Sequence, residues 1–173
     1  MKSLTHYLMT VLLATLLATP AMAERFTIAA AADLRFALDE IVELFGVRYP
    51  EHDINVIYGS SGRMTAQIVN GAPFDIFFSA DIAYPRLLHA EGLTVTEPEV
   101  YATGRIVIWS TSFDASSFSL QDLLREDIRR IAIAQPDHAP YGQRAREALQ
   151  SAGIWEQVQP RLVFGENISH AAQ

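Results

Sequence analysis

Two stretches of the chain carry residue types that hold an anion without a positive side chain. Gly59-Ser60-Ser61-Gly62-Arg63 ends one apolar run and opens a helical pattern, and the segment from Gly71 to Asp81 (GAPFDIFFSAD) repeats that change of character. Backbone N–H groups in the first turn of a helix lack an intrahelical partner and carry the positive end of its dipole, so small residues there let an oxyanion rest on the donors. A helix cap needs one hydroxyl; two serines between two glycines point to a site, with Gly59 and Gly62 clearing side chains from the approach and Ser60 and Gly62 supporting Ser61. Similar junctions follow at Ala32-Asp33, Ser79-Ala80-Asp81, Ala139-Pro140-Tyr141-Gly142 and Glu166-Asn167-Ile168. Asp33 and Asp81 read as helix caps.

Other chemistries lack their residues. Asp75 and Asp81 invite a metal reading, but His52, His89, His138 and His170 are scattered without i, i+4 or H-x-x-E spacing, so no side-chain metal site is expected. GSSGR is not the G-x-S-x-G elbow of a serine hydrolase, and no base is marked out by position, so no catalytic residue is assigned. With no cysteine, thiolate chemistry, Cys-based metal sites and disulfides are excluded. The formal net charge of −7, with Lys2 the only lysine, argues against nucleic acid as a partner. An acidic protein can still hold an anion on neutral dipoles.

These junctions need strands and helices to position them. Arg25–Ala32, 53–58 and 74–78 read as strands, alternating with helices at 34–48, 63–70 and 82–91, the last two closed by Gly71 and Gly92. Phe36, Leu38, Ile41, Val42, Leu44 and Phe45 are expected to fill one face of the first helix, and the aromatics Phe77, Phe78 and Trp109 to sit in strands as core. The βαβαβα order implies a parallel sheet covered on both faces. After a Thr/Pro/Glu-rich stretch at 93–99, the run from Val100 to Trp109 is read as a crossing between two lobes. The pattern then restarts: helix at 120–128, strand at 131–134, helix at 141–152, strand at 161–164, and a further helix after Glu166-Asn167. Ahead of all this, Met1-Lys2, the apolar run from Leu8 to Leu17 and Ala21-Met22-Ala23 read as a secretory signal cleaved after Ala23. The division is therefore a signal at 1–23, a first lobe at 24–103 and a second at 104–173. The end at Gln173, a few residues into a helix, reads as an incomplete second lobe.

AAAADL at Ala29–Leu34, GSSGRMTAQI at Gly59–Ile68, GAPFDIFFSAD at Gly71–Asp81, YATGRIVIW at Tyr101–Trp109, IAIAQPDHAPYG at Ile131–Gly142 and GEN at Gly165–Asn167 together resemble the molybdate-binding periplasmic proteins, the solute receptors of molybdate ABC transporters. The resemblance implies a two-lobed type II periplasmic binding protein fold, α/β with parallel-rich sheets flanked by helices, whose C-terminal part is missing here. It implies a periplasmic monomer without catalysis or cofactor that closes on molybdate or tungstate and delivers it to a permease and ATPase complex. Carried over by position, Ser61 donates its hydroxyl and amide, Tyr141 its amide and Ile168 its amide. Asp33 stands where many relatives have a serine, so it is expected to offer only its backbone N–H, its side chain turned away as the cap, or else to take a bond from a neighbour such as Arg63. The alternatives are a receptor for sulfate, phosphate or a small organic anion, or an enzyme on the same fold.

Overall fold

The computed structural model describes residues 24–173; the signal reading at 1–23 lies outside them. β1 (Glu24–Ala31), β2 (His52–Gly59) and β3 (Ile76–Phe78) form a parallel sheet in the order β2-β1-β3. α1 (Arg35–Arg48) links β1 to β2, α2 (Ser61–Val69) links β2 to β3, and α3 (Ala83–Ala90) follows β3. β1 is the centre strand because it is apolar on both faces: Ile28, Ala29, Ala30 and Ala31 are all buried. Ile28 and Ala30 pack with Leu38 and Val42 of α1 and with Ile54, Val56, Tyr58 and Phe78, forming a first core. Gly71 and Gly92 end α2 and α3 at φ 84° and 73°, the left-handed turn that a Cβ disfavours. Asp75 ties the sheet rather than a metal: its carboxylate accepts from the Thr27 N–H at 2.7 Å while its own N–H donates to the Thr27 carbonyl at 2.9 Å.

A second parallel pair, β4 (Ile131–Ala134) with β5 (Leu162–Gly165), carries α4 (Pro140–Ser151), the short α5 (Trp155–Val158) and α6 (Ile168–Ala171). Its own core gathers Leu123, Ile128, Leu149, Ile154 and Val158. The parallel α/β reading from the sequence therefore holds in both sheets.

Several local expectations are corrected. The helix read at 120–128 is a 3-10 turn at Leu120–Leu124, closed off when Arg125 turns extended (ψ 144°). Trp109 lies outside any strand and is 64% exposed, and along α1 Phe36, Ile41 and Leu44 are also exposed. Six apolar residues within ten positions spread around more than one helical face, and one sheet can cover only the face bearing Leu38 and Val42.

Candidate functional site

In parallel registration, Ala31 stands beside Gly59 and Ala30 beside Phe78, so the segments that leave β1, β2 and β3 emerge side by side. The connection from β2 to β3 crosses over β1, and in such sheets the ligand crevice opens at the strand ends where the order reverses. The second sheet brings Ala134 beside Gly165 and presents the start of α4 and the start of α6 to the same place. Asp33, Ser60, Ser61, Tyr141, Asn167 and Ile168 all line one small cavity between the two sheets. It is a small cleft open on one side rather than a sealed void. All four residues expected to meet the anion, Asp33, Ser61, Tyr141 and Ile168, are thus brought together, with no lysine or arginine among the cavity's lining residues.

Ser61 is fully buried. Its Oγ accepts the Ala80 N–H at 3.0 Å, which uses a lone pair and leaves the hydroxyl proton free to donate. Its backbone N–H opens α2, ahead of the first intrahelical bond from Met64 N–H to the Ser60 carbonyl. Tyr141 follows Pro140 in the first turn of α4, and Ile168 opens α6, so their N–H groups also lack an intrahelical acceptor. The Asn167 side chain caps α6 by accepting from the His170 N–H at 3.1 Å. Donors from both sheets thus converge without a positive side chain.

The supporting residues are engaged across the cleft. Ser60 Oγ lies 2.8 Å from His138 Nδ1, and the Gly62 N–H donates to the His138 carbonyl at 2.9 Å. A Cβ at position 62 would stand 2.7 Å from that carbonyl oxygen, so only glycine allows the approach. Arg63 pairs with Glu166, Arg144 reaches Asp81 at 3.6 Å, and Ser169 Oγ donates to the Ala32 carbonyl at 2.9 Å. Burial and the Arg63 charge hold His138 below its ordinary pKa of 6.5, against the opposing pull of Glu166 and Asp137.

Asp33 corrects the sequence reading. The chain enters α1 through a 3-10 turn at Ala32–Leu34 whose cap is Ala31, so Asp33 lies inside the first turn and caps nothing. Its Oδ2 accepts the Tyr141 hydroxyl at 3.2 Å, across the cleft. The partner is Tyr141, since Arg63 is committed to Glu166. Partial burial raises the Asp33 pKa above 3.8, and its own backbone N–H and the Tyr141 hydroxyl pull it down. Burial first, then the Asp33 charge and bond, push Tyr141 up to about 12. Asp81 does act at a helix start, accepting the Ala83 N–H at 2.8 Å.

On its other side Asp33 borders a wider recess of about 1280 Å³ between the first sheet and the irregular segment at 93–106. Tyr101 reaches in from that segment, donates to the Ser79 carbonyl at 2.9 Å and packs edge-on against Phe78. Sequence reasoning missed Tyr101, the Tyr141 hydroxyl and the bonding role of His138. These contacts join positions as far as 108 residues apart, and local spacing carries no signal for them.

The family described as bacterial extracellular solute-binding protein matches residues 26–173. The chain is 38% identical over 156 residues to the molybdate-binding protein ModA of Rhodobacter capsulatus, covering 90% of this chain and 61% of that one. It is 34% identical over 159 residues to the ModA of Azotobacter vinelandii, covering 91% and 63%. The solved periplasmic molybdate-binding protein of Azotobacter vinelandii superposes with a TM-score of 0.76 at 31% identity, over 85% of this chain and 64% of that structure. The chain therefore spans less than two thirds of the length of these relatives.

Proposed function

The chain belongs to the bacterial extracellular solute-binding proteins, and from that premise we propose that it is a periplasmic receptor that binds molybdate, and tungstate with it, for delivery to an ABC transporter permease and its ATPase. One observation carries the reading: helix starts from two separate sheets converge on one cavity whose lining residues are rich in neutral donors and include no cation. The relatives named for molybdate support the same ligand. In this reading the first lobe, 24–103, presents Ser61 through its hydroxyl and amide and Asp33 at the junction after β1. The second lobe, 104–173, presents the Tyr141 and Ile168 amides. The boundary is supported by Tyr101, which packs on Phe78 of the first sheet, and Ile108, which packs on the second core.

Selectivity is geometric. Sulfate matches molybdate in charge and shape but is smaller, so a ring of donors set for the larger ion leaves bonds to sulfate stretched. Each bond lost to a charged group costs about 1.5–3 kcal/mol. Ser60 with His138 and Arg63 with Glu166 bond across the cleft, so in this reading the lobes part and reclose as the ion enters. Closure on the ion then shifts the population that the permease reads.

The test is a thermal-shift titration of the chain with molybdate, tungstate, sulfate and phosphate, with circular dichroism to confirm folding. The expected result is a marked rise with molybdate and tungstate and little with sulfate. A folded chain that responds to none of the four would refute the proposal.

A further inference from the structure

We infer that Asp33 is a positioning residue for the oxyanion site: its bond to the Tyr141 hydroxyl fixes the Tyr141 ring and, through that ring, the aim of the Tyr141 N–H, and so sharpens the preference for molybdate over the smaller sulfate. The inference rests on the oxyanion reading of the cleft and deepens it, giving the Asp33 side chain a part in specificity without contact with the ion.

Tyr141 borders both hollows of the molecule. It lines the small cleft with Ser61 and Ile168, and it lines the wider recess with Tyr101 and Gly104. Its hydroxyl lies at the recess end: it donates to Asp33 Oδ2 at 3.2 Å, and a Cβ added at Gly104 would stand 3.0 Å from its oxygen. The Asp33 carboxylate is thus engaged by the tyrosine, beside the crossing segment. Burial, then the Asp33 charge and bond, push the Tyr141 pKa up to about 12, so the hydroxyl keeps its proton and donates throughout the neutral range.

The start of α4 needs such a tether. Its cap, Ala139, supplies no side-chain hydrogen bond, unlike Asn167 at the start of α6. The first bond of the helix runs from the Gln143 N–H to the Ala139 carbonyl at 3.0 Å, so the Tyr141 N–H precedes it and no intrahelical acceptor fixes its direction. Gly142 presses on the Ala134 carbonyl, and Gln143 Nε2 donates to the Tyr84 hydroxyl at 3.2 Å. Only the bond to Asp33 acts on the residue that carries the donor. The tyrosine ring is rigid and turns about two side-chain torsions, so anchoring its far end restrains the backbone at its near end.

The consequence is selectivity. A donor held in one direction suits one anion radius, whereas a donor free to move follows a smaller ion inward. Loosening Tyr141 therefore weakens molybdate more than sulfate, while a general loosening of the fold weakens both alike.

The experiment is competition binding by the full chain, with labelled molybdate displaced by unlabelled molybdate or by sulfate, and with circular dichroism to confirm that each variant is folded. Asp33→Ala and Tyr141→Phe are each expected to weaken molybdate about fivefold, to lower the molybdate-to-sulfate ratio, and in combination to do no more than either alone. Asp33→Asn keeps a carbonyl oxygen that accepts the hydroxyl and is expected to retain most of the preference. Gly104→Ala crowds the hydroxyl and is expected to lower the ratio in the wild-type background but not in Tyr141→Phe, where the clashing oxygen is gone. Wild-type molybdate binding with the ratio unchanged in the variants, or additive losses that fall equally on the two ions, would overturn the inference and leave the oxyanion reading intact. Absence of molybdate binding by the folded wild type would remove that reading and the inference with it.

Discussion

Single residues set how the two sheets meet, and His138 does so by two routes, through its ring to Ser60 and through its carbonyl to the Gly62 N–H. The ring contact survives a change of protonation, because Ser60 can donate to a neutral ring or accept from a charged one. What changes is the charge, which burial and Arg63 disfavour. The folded state then binds fewer protons at His138 than the unfolded chain, so stability from this group is complete above about pH 6.5 and is lost as pH falls from there through the lower folded value. Urea midpoints followed downward from neutral pH are expected to decline less in His138→Gln than in the wild type. Parallel declines would show that His138 does not titrate against the fold. None of this was readable from the histidine's place in QPDHAPYG, where the metal reading found no partner. Asp33 was legible as a residue at odds with an anion, but its bond to Tyr141 was not, because it joins the 3-10 turn at Ala32–Leu34 to a side chain 108 residues away.

Elements were legible where an apolar run and a helix-ending or helix-starting residue agree. β4 falls at Ile131–Ala134 as the sequence suggests, and α4 begins at Pro140, where a missing N–H costs nothing and φ is already helical. The expected helix at 120–128 failed because the Ser119–Asp122 capping box supplies a start but no sustained periodicity follows. α5, with four residues, was too short to show a period. The same brevity makes α6 depend on its cap: Asn167 is buried and its side chain holds the His170 N–H. Asn167→Ala is therefore expected to destabilise the chain by about 1 kcal/mol and to weaken oxyanion binding, since the Ile168 N–H would lose its fixed direction. Denaturant unfolding and an anion titration check the two effects separately. Unchanged affinity in the destabilised variant would show that α6 does not present a donor.

At the scale of the whole molecule, the described residues gather two cores, one on each sheet, and polar contacts such as Ser60 with His138 and Arg63 with Glu166 join the two sheets. Such contacts are individually weak: Arg63 and Glu166 are both about half exposed, and an exposed ion pair contributes about 0–1 kcal/mol. If the proposed closure holds, these contacts, with the Gly62 N–H to the His138 carbonyl and Ser169 to the Ala32 carbonyl, must part before an oxyanion enters. Binding is then gated by opening, so the observed rate should rise with molybdate concentration and level off at the opening rate. Stopped-flow tryptophan fluorescence can follow this, because Trp155 packs against the second core and Trp109 lies near the crossing. Glu166→Gln removes a charge that holds the lobes together, and its plateau is expected to stand a few-fold higher than that of the wild type. A rate that stays linear in molybdate to the limit of detection would mean that the cleft is already open in solution and that the contacts across it do not gate entry.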